Sequence, residues 1–206
     1  MKNTKKGLLL VLCVLIGAAL ISCGSSGATT EGSRFGEGVL VTGDWNTYDD
    51  SESDGGSSFA NFELVEEEIN GVTYEVIHVT GGVTSQFQYG FAGWGIDADE
   101  ESMELYRTAR AFSFWILGDG RRYTIKLKTS NVTDYCYFEY TFNTEEGVAQ
   151  YVEVPANFFQ QPAWGMTVRR AFDLITGIEW QTHESWRVRD QETPFEIKMW
   201  NFRVHN

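Results

Sequence analysis

Along most of the chain, apolar side chains recur at every second position, in short runs separated by Gly, Asp and Asn. That is the period of strands, not of helices. The clearest run is Asp134–Phe142, where Cys136, Phe138, Tyr140 and Phe142 alternate with Tyr135, Tyr137, Glu139 and Thr141. Upstream, Tyr123, Ile125 and Leu127 alternate with Arg122, Thr124 and Lys126. Gly118-Asp119-Gly120 is expected to join that run to Ala111–Leu117 as a hairpin, with glycine where φ is positive. Further strands are expected at Val39–Thr47, Phe59–Glu67, Val72–Thr80, Thr84–Phe91, Gln150–Val154, Ile175–Thr182 and Phe195–Val204. Helix is confined to about one turn around Glu101–Tyr106, and Pro155 and Pro194 fall at strand ends, where a missing donor does no harm. Many short strands at this spacing predict an all-β fold, a jelly-roll β-sandwich.

The first residues follow a different pattern. Lys2, Lys5 and Lys6 precede the apolar run GLLLVLCVLIGAALIS, which ends at Cys23 with Gly24 behind it. A basic start, an apolar stretch of about 15 residues and small residues at a cleavage point predict an export signal over residues 1–22. A membrane span would need roughly 20 apolar residues and a stop-transfer flank. Leu20-Ile21-Ser22-Cys23 also resembles the lipobox of bacterial lipoproteins, which implies lipidation of Cys23; an ordinary signal peptide containing a cysteine is the alternative. GSSGATTEGSRFGEG then reads as a flexible tether, so that residues 23–38 link the anchor to a folded domain over 39–206. The expected address is the cell envelope, with Gly24 after the cysteine favouring the outer membrane.

Charge narrows the partners. The formal net charge is −13; without Lys2, Lys5 and Lys6, 13 basic residues face 29 acids, which gives −16. Nucleic acid is thereby excluded, because phosphate binding needs basic surface. Aromatic content is 15 %, enough both to fill a sandwich and to leave rings for flat apolar ligand faces. Beyond Cys13 and Cys23 only Cys136 is left, so no disulfide forms within the mature chain, and its place in the alternation predicts a buried, inert thiol.

The order of several motifs carries a family resemblance. Gly55–Ser58 (GGSS) follows an acidic loop, and AGWGI (Ala92–Ile96) precedes a short polar stretch. FSFWILGDGRRYTIKL, YVEVPANFF, Trp164-Gly165, ITGIEW and PFEIKMWNF follow in turn. This succession, over about residues 39–204, resembles the β-sandwich family that groups the complex I intermediate-associated protein 30 (CIA30) domain with family 11 carbohydrate-binding modules. The resemblance implies a galactose-binding-like jelly roll. In the carbohydrate-binding branch it implies a concave sheet face that holds a glucan through tyrosines, acids and an arginine; in the other branch, a domain that assists assembly of a protein complex. Where the family often carries an aspartate in the last strand, this chain has Trp200.

The alternation suggests which residues would carry such a function. If Tyr123, Ile125 and Leu127 face the core, then Arg122, Thr124 and Lys126 share the opposite face with Tyr135, Tyr137 and Glu139, and Tyr151 and Glu153 are expected to join them. Rings for stacking beside charged groups for hydroxyls suit a polysaccharide. Equally, tyrosines favour half-buried strand surfaces whatever their function. Phe91 and Trp94, in a Gly-rich loop, and Trp186, in the charged loop His183–Asp190, are a second set of candidates; packing is expected for Trp94. Of the acidic clusters at 49–54, 66–68 and 97–101, the first supplies Asp49, Asp50 and Asp54 as candidate ligands of a structural calcium, with a solvated loop as the alternative. No nucleophile elbow, zinc-helix motif or P-loop is present. The expected function is therefore non-catalytic carbohydrate binding at the envelope, with assembly of an envelope protein complex through the same sandwich as the alternative.

Overall fold

The computed structural model describes residues 33–183 and 193–206. Its strands are β1 (Val39–Leu40), β2 (Asp44–Asp49), β3 (Phe59–Ile69), β4 (Val72–Val83) and β5 (Phe91–Asp97), then a helix α1 (Glu100–Arg107). β6 (Ala111–Leu117), β7 (Arg122–Thr129), β8 (Phe138–Asn143), β9 (Ala149–Pro155), β10 (Ile175–His183) and β11 (Thr193–His205) complete it. They form two antiparallel sheets: sheet I in the order β3-β4-β11-β6-β9, with β1 beside the end of β11, and sheet II in the order β2-β5-β10-β7-β8. The predicted all-β sandwich is what the chain adopts.

The space between the sheets is filled by alternate side chains from both. Trp180 of β10 lies at its centre, parallel to Trp94 of β5 (centroids 6.2 Å apart, 6° between planes). Phe114 of β6 and Phe202 of β11 meet it edge-on at 5.6 and 5.0 Å, so one ring ties the two layers together. Offset and edge-to-face contacts of this kind add to what burial already contributes. The helix is positioned by its own ends. Asp99 caps it, accepting from the Ser102 amide at 2.7 Å; Glu100 and Glu101 occupy its first turn and Arg107 its last, each charge complementing the helix dipole.

Several strand predictions are corrected. Thr84–Phe91 is not a strand. Thr84–Gly90 turns back tightly, the Gly90 amide bonding Phe87 O at 3.0 Å, and Phe91 opens β5. The supposed loop around Trp94 is that strand, paired on both sides between β2 and β10, with Ala92, Trp94 and Ile96 inward. Val39–Thr47 divides into β1 and β2, one for each sheet. Gly118-Asp119-Gly120 is a corner between sheets rather than a hairpin, since β6 pairs with β9 and β11 while β7 lies in sheet II. Asp119 holds that corner by accepting from Tyr123 Oη (3.1 Å), Arg121 N (3.1 Å) and Glu196 N (3.2 Å). The segment 134–137 precedes β8 as a turn: Asp134 accepts from the amides of Cys136 and Met166, and Tyr135 adopts φ 62°. The true hairpin joins β3 and β4 through Asn70-Gly71, both at positive φ, as a two-residue turn of primed type requires.

Residues 34–38, which the sequence places in the tether, lie across the outer face of sheet I. Arg34 pairs with Glu153 (3.1 Å), Gly36 O meets His205 Nδ1 (2.9 Å), and Arg203 donates to Gly38 O (2.6 Å). His205 Nε2 in turn lies 2.7 Å from the buried Ser113 Oγ.

Candidate functional site

The outer face of sheet II is assembled from the positions that alternate with the core. Its registers bring Asn46, Gly95, Glu179, Lys126 and Glu139 into one row across the five strands, and Tyr48, Gly93, Gln181, Thr124 and Thr141 into the next. Because Gly93 and Gly95 carry no side chain, the floor beside β2 is low, and the Tyr48 ring lies over it. A Cβ on Gly93 would stand 2.5 Å from Tyr48 Cζ. The Tyr48 hydroxyl thereby crosses β5 and reaches Trp180 O and Gln181 Oε1, each at 3.3 Å. Phe91 flanks it, 6.1 Å between centroids.

Gln181 is the hub of the face. Its Oε1 also accepts from Lys126 Nζ at 2.5 Å, and its Nε2 meets His183 Nε2 at 2.8 Å. Glu179 and Glu139 flank Lys126 in the neighbouring row, and Lys128 bridges Asp97 (3.0 Å) and Glu179 (3.9 Å). Burial lowers the Lys126 ammonium from its ordinary value, against the pull of Glu139 and Glu179. Burial likewise raises both carboxyls, with Lys126 acting in the opposite sense. The phenol of Tyr137 is pushed up to about 12, first by burial and then by Glu179. Tyr48 rises for the same two reasons, with Tyr137 as a further negative neighbour.

Of the residues singled out in the sequence, Arg122, Lys126 and Glu139 share this face. Tyr137 belongs with them but is 9 % exposed, so it is a wall of the face rather than an open platform. Tyr135 is 75 % exposed on the turn before β8, its ring edge-on to Tyr137 at 6.4 Å. Tyr151 is not part of the site. It lies on β9 in sheet I, against Trp115 at 5.5 Å, because the strand order places β9 beside β6 and not beside β8. Trp115 stacks on Trp200 at 6.0 Å, so Trp200 also belongs to sheet I. Trp94 is core, and Trp186 lies outside the described residues. Cys136 is buried, its thiol 3.2 Å from Pro162 O.

Asp50 is fully buried and accepts from Ser58 N (2.8 Å), Ser58 Oγ (2.8 Å) and Phe91 N (3.2 Å). Asp49 accepts from the Ser51 amide. The side-chain oxygens of Asp50 are thus committed to donors, where a cation would require further acceptors. Among the described residues no three His, Cys, Asp or Glu side chains could hold a metal ion together. Tyr48, Glu179, Gln181 and His183 were not foreseen. The signal for the first was the GFAGWGI segment, whose glycines alternate with core residues and so mark a bare strip on one face of a strand.

Comparison with known proteins follows the same lines. No curated protein matches the chain. It is similar in structure to the family 11 carbohydrate-binding module of the cellulosomal cellulase Lic26A-Cel5E of Clostridium thermocellum, at 19 % identity and TM-score 0.47, covering 82 % of this chain and 89 % of that one. It is similar also to the family 11 module from Clostridium thermocellum in complex with a β-1,3-1,4-mixed-linked tetrasaccharide (20 %, TM-score 0.46, 82 % and 90 % covered). A third similar structure is a family 28 module specific for non-crystalline cellulose (14 %, TM-score 0.41, 69 % and 80 %). The model of the complex I intermediate-associated protein 30 family matches residues 35–198, and the chain belongs to that family.

Proposed function

We propose that the outer face of sheet II binds a carbohydrate chain without transforming it. The observation that carries this reading is the Tyr48 ring laid over a floor bared by Gly93, its hydroxyl at Gln181, with Lys126, Glu179 and Glu139 in the adjoining row. Pyranose rings have apolar faces that pack on aromatic rings and hydroxyl edges that need donors and acceptors together; this face offers both within one row of strands. Residues 34–38 are bonded to sheet I, so within the described residues they do not cover the outer face of sheet II. In this reading the chain is an envelope lipoprotein, anchored at Cys23 and held in the outer membrane. A glycan array probed with the full chain tests the reading. Retention of a defined polysaccharide, abolished by Tyr48→Ala together with Lys126→Ala while the circular dichroism is unchanged, supports it; retention equal to that of the wild type rejects this face.

A second reading is assembly of an envelope protein complex. The observation favouring it is an apolar row across sheet I (Val65, Val76, Trp200, Trp115 and Tyr151), of which Val76 and Trp200 are buried and Val65, Trp115 and Tyr151 partly exposed. Glycan silence combined with stoichiometric co-purification of one protein, lost in Trp115→Ala, favours it.

A further inference from the structure

Beside the outer edge of β8 lies a feature that the sheet II face does not include. The chain leaves β9 through a single 3-10 turn (Ala156–Phe158) and returns to pair with β8, Glu139 N donating to Gln160 O at 2.9 Å and Gln160 N to Glu139 O at 3.0 Å. Between that segment and β8 is an open depression of about 570 Å³, lined by Glu139, Thr141, Asn157, Phe158 and Gln160 among others. Asn157 and Gln160 are exposed, and their side-chain amides bond no other described group. Gln161, by contrast, is consumed structurally: it bonds Cys136 O, Met166 O and Val168 N.

Aromatic and apolar side chains continue this edge. Phe158 is 49 % exposed, Trp164 and Met166 are 67 % exposed, and Tyr135 stands out more than any of them. They are not on slack chain. The Met166 amide donates to Asp134 Oδ2 at 2.6 Å, the Cys136 thiol to Pro162 O at 3.2 Å, and Gly165 is pressed so closely to Cys136 that a Cβ would lie 2.3 Å from the cysteine Cβ. Two loops are locked together to hold exposed rings in fixed places. Large apolar side chains left in water on a rigid scaffold mark a surface that something covers.

We infer that the β8 edge is a second carbohydrate subsite, occupied by the continuation of the same glycan after it leaves the face of sheet II. The inference rests on the proposed function of that face. Glu139 belongs to both, so the two surfaces are continuous. Uncommitted primary amides both donate and accept, as hydroxyl groups demand, and the rings beside them are free to pack on sugar faces. The lining contains no lysine or arginine, which selects a neutral polymer over an anionic one.

The test compares long and short ligands, using the full chain in detergent with a mixed-linkage β-glucan and the tetrasaccharide cut from it. Trp164→Ala is expected to weaken polymer binding about tenfold, as loss of an aromatic anchor does, the double variant Asn157→Ala, Gln160→Ala to weaken it as well, and both to leave the tetrasaccharide affinity unchanged. Lys126→Ala should weaken both. Edge variants that bind polymer as tightly as the wild type, or that lose polymer and tetrasaccharide equally, overturn the inference while the sheet II reading stands. A wild-type chain that retains neither β-glucan overturns the sheet II reading for this polymer and the edge subsite with it. Thermal melts of each variant separate a lost contact from a lost fold.

Discussion

The phenol ring of Tyr48 rests on the backbone of Gly93, occupying the place a side chain there would fill: an added Cβ would lie 2.5 Å from Cζ and 2.7 Å from the hydroxyl. The same Cβ would also come within 2.4 Å of Trp180 O, on the neighbouring strand. One hydrogen atom in place of a methyl group therefore sets both the position of a site residue and the closeness of β5 to β10. Gly93→Ala is expected to displace the ring and to cost about 1–3 kcal/mol through overpacking. Glycan binding should fall even where the fold persists, and Tyr48→Phe should weaken binding without the loss in stability. Urea unfolding alongside affinity electrophoresis reads both.

Binding should depend on pH through the carboxylates beside Lys126. Burial raises Glu179 and Glu139 above the ordinary 4.5, so each takes up its proton at a higher pH than a free side chain. If they serve as acceptors for hydroxyl groups, affinity is expected to fall on acidification before that ordinary value is reached. Stability has the opposite sign. Groups whose carboxyls are raised in the folded state penalise it when ionised, so their protonation on going down through the folded value relieves that penalty. Replacing both with glutamine should flatten both profiles, as measured by titration calorimetry and thermal melts from pH 4 to pH 7, about the range in which shifted carboxyls titrate.

Trp180 supports more of the fold than its position in one strand suggests, since it meets Trp94, Phe114 and Phe202. Trp180→Ala is expected to cost about 3–5 kcal/mol, the range for large aromatic truncations in a packed core. Loss of near-ultraviolet circular dichroism from the parallel Trp94–Trp180 pair would accompany it. A variant as stable as the wild type would show that the two layers do not depend on this ring.

Asp50 is expected to act as a loop staple that needs no metal. Its three donors include two buried groups of Ser58, so Asp50→Ala leaves them unsatisfied and should destabilise by about 3 kcal/mol. Calcium addition and chelation should both leave the melting temperature of the wild type unchanged. A calcium-dependent rise would contradict the donor arrangement described for this carboxylate.

Much of the architecture was readable because alternation is a local property. β3, β4, β6, β7, β9, β10 and β11 were recognised because each strand shows its two faces in its own residues; the helix was expected as about one turn around Glu101–Tyr106 and spans Glu100–Arg107. Strand breaks were harder. The bulge in β11 places Asn201 at φ 56° and moves the core phase from Ile197 and Met199 to Phe202 and Val204, so one continuous strand changes which parity faces inward. β5 went unread because glycines that leave room for Tyr48 look, in isolation, like the glycines of a loop.

The sequence alone determined the layered all-β body, the polarity of most strands, the buried thiol of Cys136 and the acidic character of the chain. Only tertiary structure decided which strands are neighbours. That choice removed Tyr151 from the site, added Tyr48, Glu179 and Gln181, and turned the Gly118–Gly120 hairpin into a corner between sheets. The reason is physical. A strand's inward and outward faces follow from its own side chains, whereas its partner across the ladder is chosen by backbone bonds and core packing that any alternating strand can satisfy.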